Sequence, residues 1–291
     1  MKKLFTLLAL TITFSMNAQM DDNSHPSNNS AAIYSVAMGD GSSASGTAST
    51  AMGASTSASG GYSTAMGFFT TASGNFSTAS GSISTASGSY STAMGWGTTA
   101  SGSRSIAMGA YTTASDYASV VIGQFNSSGS SVTNSASSFS TSNTAFVIGN
   151  GTSGNLSDAF KVLFNGDTTV SNDLTVSGDV VISSDARLKS NIVSLGSTLP
   201  KLLQIDGKSY EMKGKQKIGV LAQEIQEVFP ELVTEDDNEM LAVNYQGLVP
   251  VLINALKEQQ SEIDELKEQE TKYMEQEQRL ERLERLVANM D

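Results

Sequence analysis

Apolar positions along this chain follow three rhythms in turn. From Ala37 the sequence falls into fourteens: AMGDGSSASGTAST, AMGASTSASGGYST, AMGFFTTASGNFST, ASGSISTASGSYST, AMGWGTTASGSRSI, AMGAYTTASDYASV, then a degenerate VIGQFNSSGSSVTN. Each unit is two sevens, with Ala at positions one and eight and Gly at three and ten. Met38, Met52, Met66, Met94 and Met108 fall at position two, and Ile122 takes the matching place in the last unit. A fixed period of this kind calls for stacked turns, each burying its face against its neighbours. Glycine every seven residues and the abundance of Ser and Thr argue against helix. A Ser/Gly tract can also be a flexible linker, but here the apolar residues are placed and not scattered. Short strands joined by Gly-containing turns and wound into a coil fit that placement. The apolar set per turn, mainly Ala and one Met, is too small for a core in one chain. Several chains burying the Met edge against one another would supply the missing core. Phe68, Phe69, Phe76, Tyr90, Trp96 and Tyr111 hold the variable positions, either packed over neighbouring turns or presented to a ligand.

The second rhythm covers residues 135–183, read as a β stalk. Ala145-Phe146-Val147-Ile148 is a short apolar run; Phe160, Val162 and Phe164 then alternate with polar residues, as do Leu174 and Val176, then Val180 and Ile182. Asn165-Gly166-Asp167 and Ser177-Gly178-Asp179 punctuate them, which is strand alternation with turn signals. The third rhythm, over residues 184–291, predicts a small α+β domain ending in a long helix. Strands are expected at 208–212 and 217–220. Leu221, Ile225 and Val228 share one face of a helix that Pro230 ends. From about Gln246, the residues Val249, Leu252, Leu256, Ile263, Leu266 and Tyr273 follow three- and four-residue steps, with polar Gln259 and Glu270 at matching places. Leu280, Leu283, Val287 and Met290 resume the stripe. The pattern fits a self-associating coiled coil over 246–290, the alternative being one amphipathic helix packed on its own domain.

Composition narrows the chemistry. The chain has 291 residues, no cysteine and a single histidine, His25, so thiolate catalysis and a Ser-His-Asp triad in a folded core are disfavoured. A net charge of −12 leaves no basic footprint for nucleic acid. No cofactor or metal is implied. Lys2 and Lys3, an apolar run from Leu4 to Phe14, and Asn17-Ala18-Gln19 read as a secretory signal over residues 1–19, followed by a polar linker over 20–34. The apolar run is too short to span a bilayer. The expected product is an exported protein with no membrane anchor.

A compositional seam lies at Ser184-Asp185-Ala186-Arg187-Leu188-Lys189, for no glutamate occurs before Glu211. Ser184 or Asp185 would make an ordinary N-cap for a short helix through Ile192. A serine five residues before a lysine is also the one serine dyad this unit could build without histidine or cysteine, since a desolvated neutral lysine can act as a base. Spacing alone leaves both readings open.

Three resemblances bear on these parts of the chain. The A-M-G-x-x-[ST]-[ST]-A-S-G pattern over 35–134 resembles the YadA-like head repeats of trimeric autotransporter adhesins. That resemblance implies a trimeric left-handed parallel β-roll. Residues 135–183 resemble, more weakly, the interleaved shafts of phage tail fibres. The segments 184–192, 218–233 and 243–257 resemble, in order, the endosialidase-type intramolecular chaperone that ends many phage tail spikes and also occurs in the myelin regulatory factor family. The likeness to the chaperone implies a homotrimer gathered by helices, in which the chaperone drives folding of the upstream β-structure and then cuts itself off. Carried over, the scissile bond is Ser183–Ser184, with Ser184 as nucleophile and Lys189 as general base, and Asp185 and Arg187 in orienting roles. The product would be a secreted trimeric fibre or adhesin, the rival being a structural surface fibre whose chaperone domain does not cleave.

Overall fold

The computed structural model describes residues 29–30, 32–127, 129, 135–236 and 239–289. The expected signal over 1–19, and the linker as far as residue 28, lie outside the described residues. The chain divides after Val180 into two units, the first a β-coil with added strands, the second a small α+β domain with a long helix.

In the coil, each fourteen-residue turn supplies one long and one short strand. The long strands, from Val36–Met38 and Thr50–Ala54 to Val120–Gln124, form one parallel sheet. The short strands, from Asn29–Ser30 to Thr113–Ala114, form the other. Register follows the repeat: Ala51 pairs with Ala65, Met52 with Met66 and Gly53 with Gly67. The first short strand falls inside the segment read as a linker, pairing with Ser43–Ala44.

The interior between the sheets is built from very small groups. Alanines at positions one and eight, Ala37 through Ala114, are fully buried, and Val121 and Val147 extend the same cluster. Buried hydroxyls flank them at positions six and thirteen. Some bond to one another or to backbone carbonyls: Thr56 Oγ1 donates to Ser42 Oγ at 2.9 Å, and Ser42 Oγ donates to the Gly53 carbonyl at 3.0 Å. Others, among them the hydroxyls of Ser49, Ser63, Thr70, Ser77, Ser91 and Thr112, are buried with no partner among the described residues, a cost to the coil. One methyl per Ala is also a thin apolar core.

The recurring glycines have two separate causes. At position three, Gly53 has φ +126°, and a Cβ there would lie 2.0 Å from the Gly67 carbonyl oxygen. At position ten, Gly60 has no left-handed φ, yet a Cβ would lie 2.1 Å from the Gly74 carbonyl oxygen. Close stacking of turns excludes a side chain at both. The corners themselves lie at positions five and twelve, where Ser55, Tyr62, Phe69, Phe76, Ile83, Tyr90 and Arg104 all take left-handed backbone with φ between 51° and 62°. The turns are therefore made largely by non-glycine residues, at about 1 kcal/mol or more each. The corner side chains lie along the coil and stack: Tyr62 on Phe76 at 5.0 Å, Phe76 on Tyr90 at 4.8 Å, with Arg104 over Tyr90 at 5.5 Å.

The repeat ends at Asp116, which stands where the preceding units have Gly. Its Oδ2 accepts the Thr144 N–H at 2.8 Å. Strand Thr144–Asn150 then continues the long-strand sheet in parallel with Val120–Gln124. Asp158–Leu163 and Thr168–Val170 add to it antiparallel. The first part of the segment read as a stalk thus extends the coil's own sheet, and residues 171–185 form no strand.

In the second unit, helices α1 (Leu199–Leu202), α2 (Ala222–Val228) and α3 (Leu248–Ala288) accompany two hairpins. The hairpins pair Lys208–Met212 with Lys215–Gly219 and Val233–Glu235 with Leu241–Val243. Pro230 opens a 3-10 turn directly after α2, and Pro250 stands in the first turn of α3, where its missing N–H costs nothing. Ile225, Phe229, Leu232 and Val251 form the core, with Leu202, Val220 and Val243 packed against it. Only the beginning of α3 takes part. From Val249 to Val287 its apolar residues Leu252, Leu256, Ile263, Leu266, Tyr273, Leu280 and Leu283 remain exposed. Among the described residues no helix is long and apolar enough to cross a membrane.

Candidate functional site

The seam residues form a single 3-10 turn. Asp185, in extended backbone, caps it by accepting the Arg187 N–H at 2.8 Å, and the turn spans Ala186–Leu188. It stops there and does not run on to Ile192, because Lys189 is already extended, with φ −119° and ψ 145°. One turn of 3-10 helix brings residue 189 back beside residue 184. Lys189 Nζ donates to Ser184 Oγ at 2.8 Å. Of the two residues offered as caps, Asp185 caps the turn, and the Ser184 hydroxyl accepts from Lys189 instead.

Asp185 and Arg187 form a two-pronged ion pair, with Nε at 3.0 Å from Oδ1 and Nη2 at 2.7 Å from Oδ2. The Arg187 guanidinium holds the Asp185 carboxyl below the usual carboxylate range, helped by the Arg187 backbone N–H, and the guanidinium is raised in turn. Both side chains are solvated, so the pair adds little stability. Ser183, Ser184 and Lys189 are all exposed, and no donor stands opposite the Ser183 carbonyl in the contacts of the described residues.

Eight residues downstream the chain is fastened again. Glu258 on α3 accepts the Thr198 N–H at 2.6 Å, the Leu199 N–H at 3.2 Å and the Ser197 hydroxyl at 2.7 Å. Thr198 is buried and donates its hydroxyl to the Val251 carbonyl at 3.0 Å. The Thr198 N–H, first among these donors, holds the Glu258 carboxyl below its ordinary range. Glu258 lies within the helix expected from about Gln246, and nothing in that pattern singles it out. Its partners are about 60 residues away, and no spacing rule reaches them. Gly219 is similar. A Cβ there would lie 2.7 Å from Tyr245 Oη, which accepts the Val220 N–H at 3.2 Å, so a glycine is kept where a tyrosine crosses the strand end.

Two known families match separate stretches of the chain. Residues 30–56, 58–82, 72–98, 86–112 and 100–126 match the YadA head domain repeat. The chaperone of endosialidase matches residues 184–234, beginning at Ser184. No curated protein matches the chain. Along this one chain, in order, stand a stretch similar to YadA head repeats and a stretch similar to the chaperone of endosialidase.

Proposed function

We propose that this protein is an exported homotrimeric fibre or adhesin-like protein that is folded, and then trimmed, by its own carboxy-terminal domain. Three chains associate through α3, whose apolar stripe has no cover within one chain. That association raises the local concentration of the upstream strands and seeds the coil, whose fourteen-apart pairings are slow to form unaided. Cleavage between Ser183 and Ser184 then releases residues 184–291. The remaining fibre unfolds slowly because its seed is gone.

The observation that carries the reading is the 2.8 Å contact of Lys189 Nζ with Ser184 Oγ, at the start of a stretch similar to a chaperone that removes itself. In the proposed step Ser184 Oγ adds to the Ser183 carbonyl carbon while its proton passes to the lysine amine. The Ser183–Ser184 C–N bond breaks, the proton goes to the departing Ser184 amine, and water hydrolyses the ester to free the Ser183 carboxylate. A lysine serves as a base only when neutral, which calls for its removal from water. In one chain the dyad stands in solvent, so the neighbouring chains supply the cover, and cleavage waits for assembly. Asp185 and Arg187 are positioning residues that hold the turn.

Intact mass of the purified protein tests this. The wild type is expected as two fragments parted at Ser183–Ser184, and Ser184→Ala as one uncut chain that still assembles. A wild type that remains whole as a folded trimer would favour the second reading, a structural fibre with a non-cleaving chaperone, for which the solvent exposure of residues 183–189 speaks.

A further inference from the structure

Two irregularities of the coil meet at one place. In the corner column Ile83, Gly97, Tyr111, Phe125, the turn at Gly97 carries no side chain, and a Cβ there would lie 2.7 Å from the Tyr111 ring. Tyr111 lies over that bare backbone. Phe125 stacks against it with centroids 4.8 Å apart, and Trp96 leans on it, also at 4.8 Å, with the planes inclined at 59°. The second irregularity is a hairpin closed by the Thr152–Asn155 bridge, outside the repeat. The three rings, with Ser153, Gly154 and Leu156, bound an open cleft of about 550 Å³, a size usual for small-ligand sites. Trp96 is 52% exposed and Leu156 60%, a cost in solvated apolar surface that interaction sites commonly carry.

We propose that this cleft binds a neutral saccharide, with the apolar face of one sugar ring against Trp96 and Tyr111. No charged side chain lines it, so an ionic ligand would find no counter-charge there. The Trp and Tyr rings are flat and apolar with a polar tip, which matches a pyranose with its C–H face and hydroxyl rim. Contacts between equivalent coils recur from turn to turn, as the exposed row Met52, Met66, Met94 and Met108 does. The cleft is local to one end of the coil, which separates it from such a seam. The inference depends on the coil alone and on neither cleavage nor trimerisation.

Trp96 is the one tryptophan of the chain, so its emission reports on this cleft. The purified protein would be titrated with maltotetraose, mannotetraose and chitotetraose, and with tetragalacturonate as the charged comparison. A saturable change in Trp96 emission with at least one neutral sugar, and none with tetragalacturonate, is expected. By calorimetry, Leu156→Ser and Tyr111→Ala should each weaken binding about tenfold, the loss usual for a central contact residue, while Tyr62→Ala at the other corner leaves it unchanged. No response to any neutral sugar, an equal response to the charged one, or undiminished binding in both variants would overturn the proposal. So would Trp96 emission that shifts with protein concentration alone, which marks a second copy over the cleft.

Discussion

Gly60 and Tyr62 stand two residues apart in the coil and obey opposite rules. Gly60 has ordinary backbone but no room, since any Cβ would meet the Gly74 carbonyl oxygen at 2.1 Å. Tyr62 has ample room but a left-handed φ of 59°. Gly60→Ala should therefore cost more than about 3 kcal/mol, because backbone of the next turn must move. Ala48→Gly, at a corner with φ 52°, should be neutral or stabilise by up to about 1 kcal/mol. Thermal unfolding followed by circular dichroism separates the two. At the seam, Lys189→Arg tests the proposed base. Arginine keeps the positive charge and the reach but stays protonated, so the chain should remain uncut by intact mass while assembly is unaffected.

Between Lys189 and the core of the second unit, the chain is held at Thr198 by Glu258. A carboxyl whose pKa is lower in the folded than in the unfolded state stabilises above the unfolded value and loses that contribution as pH falls through the folded one. The Thr198 amide should thus stay protected from hydrogen exchange at pH 7 and 5 and open once pH drops below the ordinary glutamate range of about 4.3. In Glu258→Ala the same amide should exchange fast at every pH, and in Glu258→Gln the pH dependence should vanish. The coil has its own fastening in Asp116, whose carboxylate accepts the Thr144 N–H and marks where repetition gives way to the added strands.

Across the whole molecule, both units leave apolar rows uncovered within a single chain: the Met row of the coil and the stripe of α3. A coil whose interior is mostly alanine gains little from its own core. A 41-residue helix anchored only near its start gains little from its own domain. Both rows fit the proposed homotrimer, in which further copies of the chain would cover them. Leu256→Asp with Ile263→Asp should reduce the proposed trimer to monomer by light scattering and, if the site is completed by neighbours, abolish the proposed cleavage as well. Loss of assembly with cleavage intact would place the whole site within one chain.

The repeat period, the β-coil, the small α+β unit and the long helix were legible because each rests on spacing along the chain, and spacing survives without coordinates. That Lys189 could reach Ser184 was legible too, since only five residues separate them. Three things were decided only by tertiary structure. The glycines are set by carbonyls fourteen residues away, and the turns they were expected to make are made instead by aromatic and other side chains in left-handed corners. Glu258 meets Thr198 because α3 packs beside α1, a contact across about 60 residues that no local pattern encodes. The Trp96 cleft exists because a bare corner at Gly97 lies next to an added hairpin. In each case the deciding contact joins residues far apart in sequence, and the geometry of folding alone brings them together.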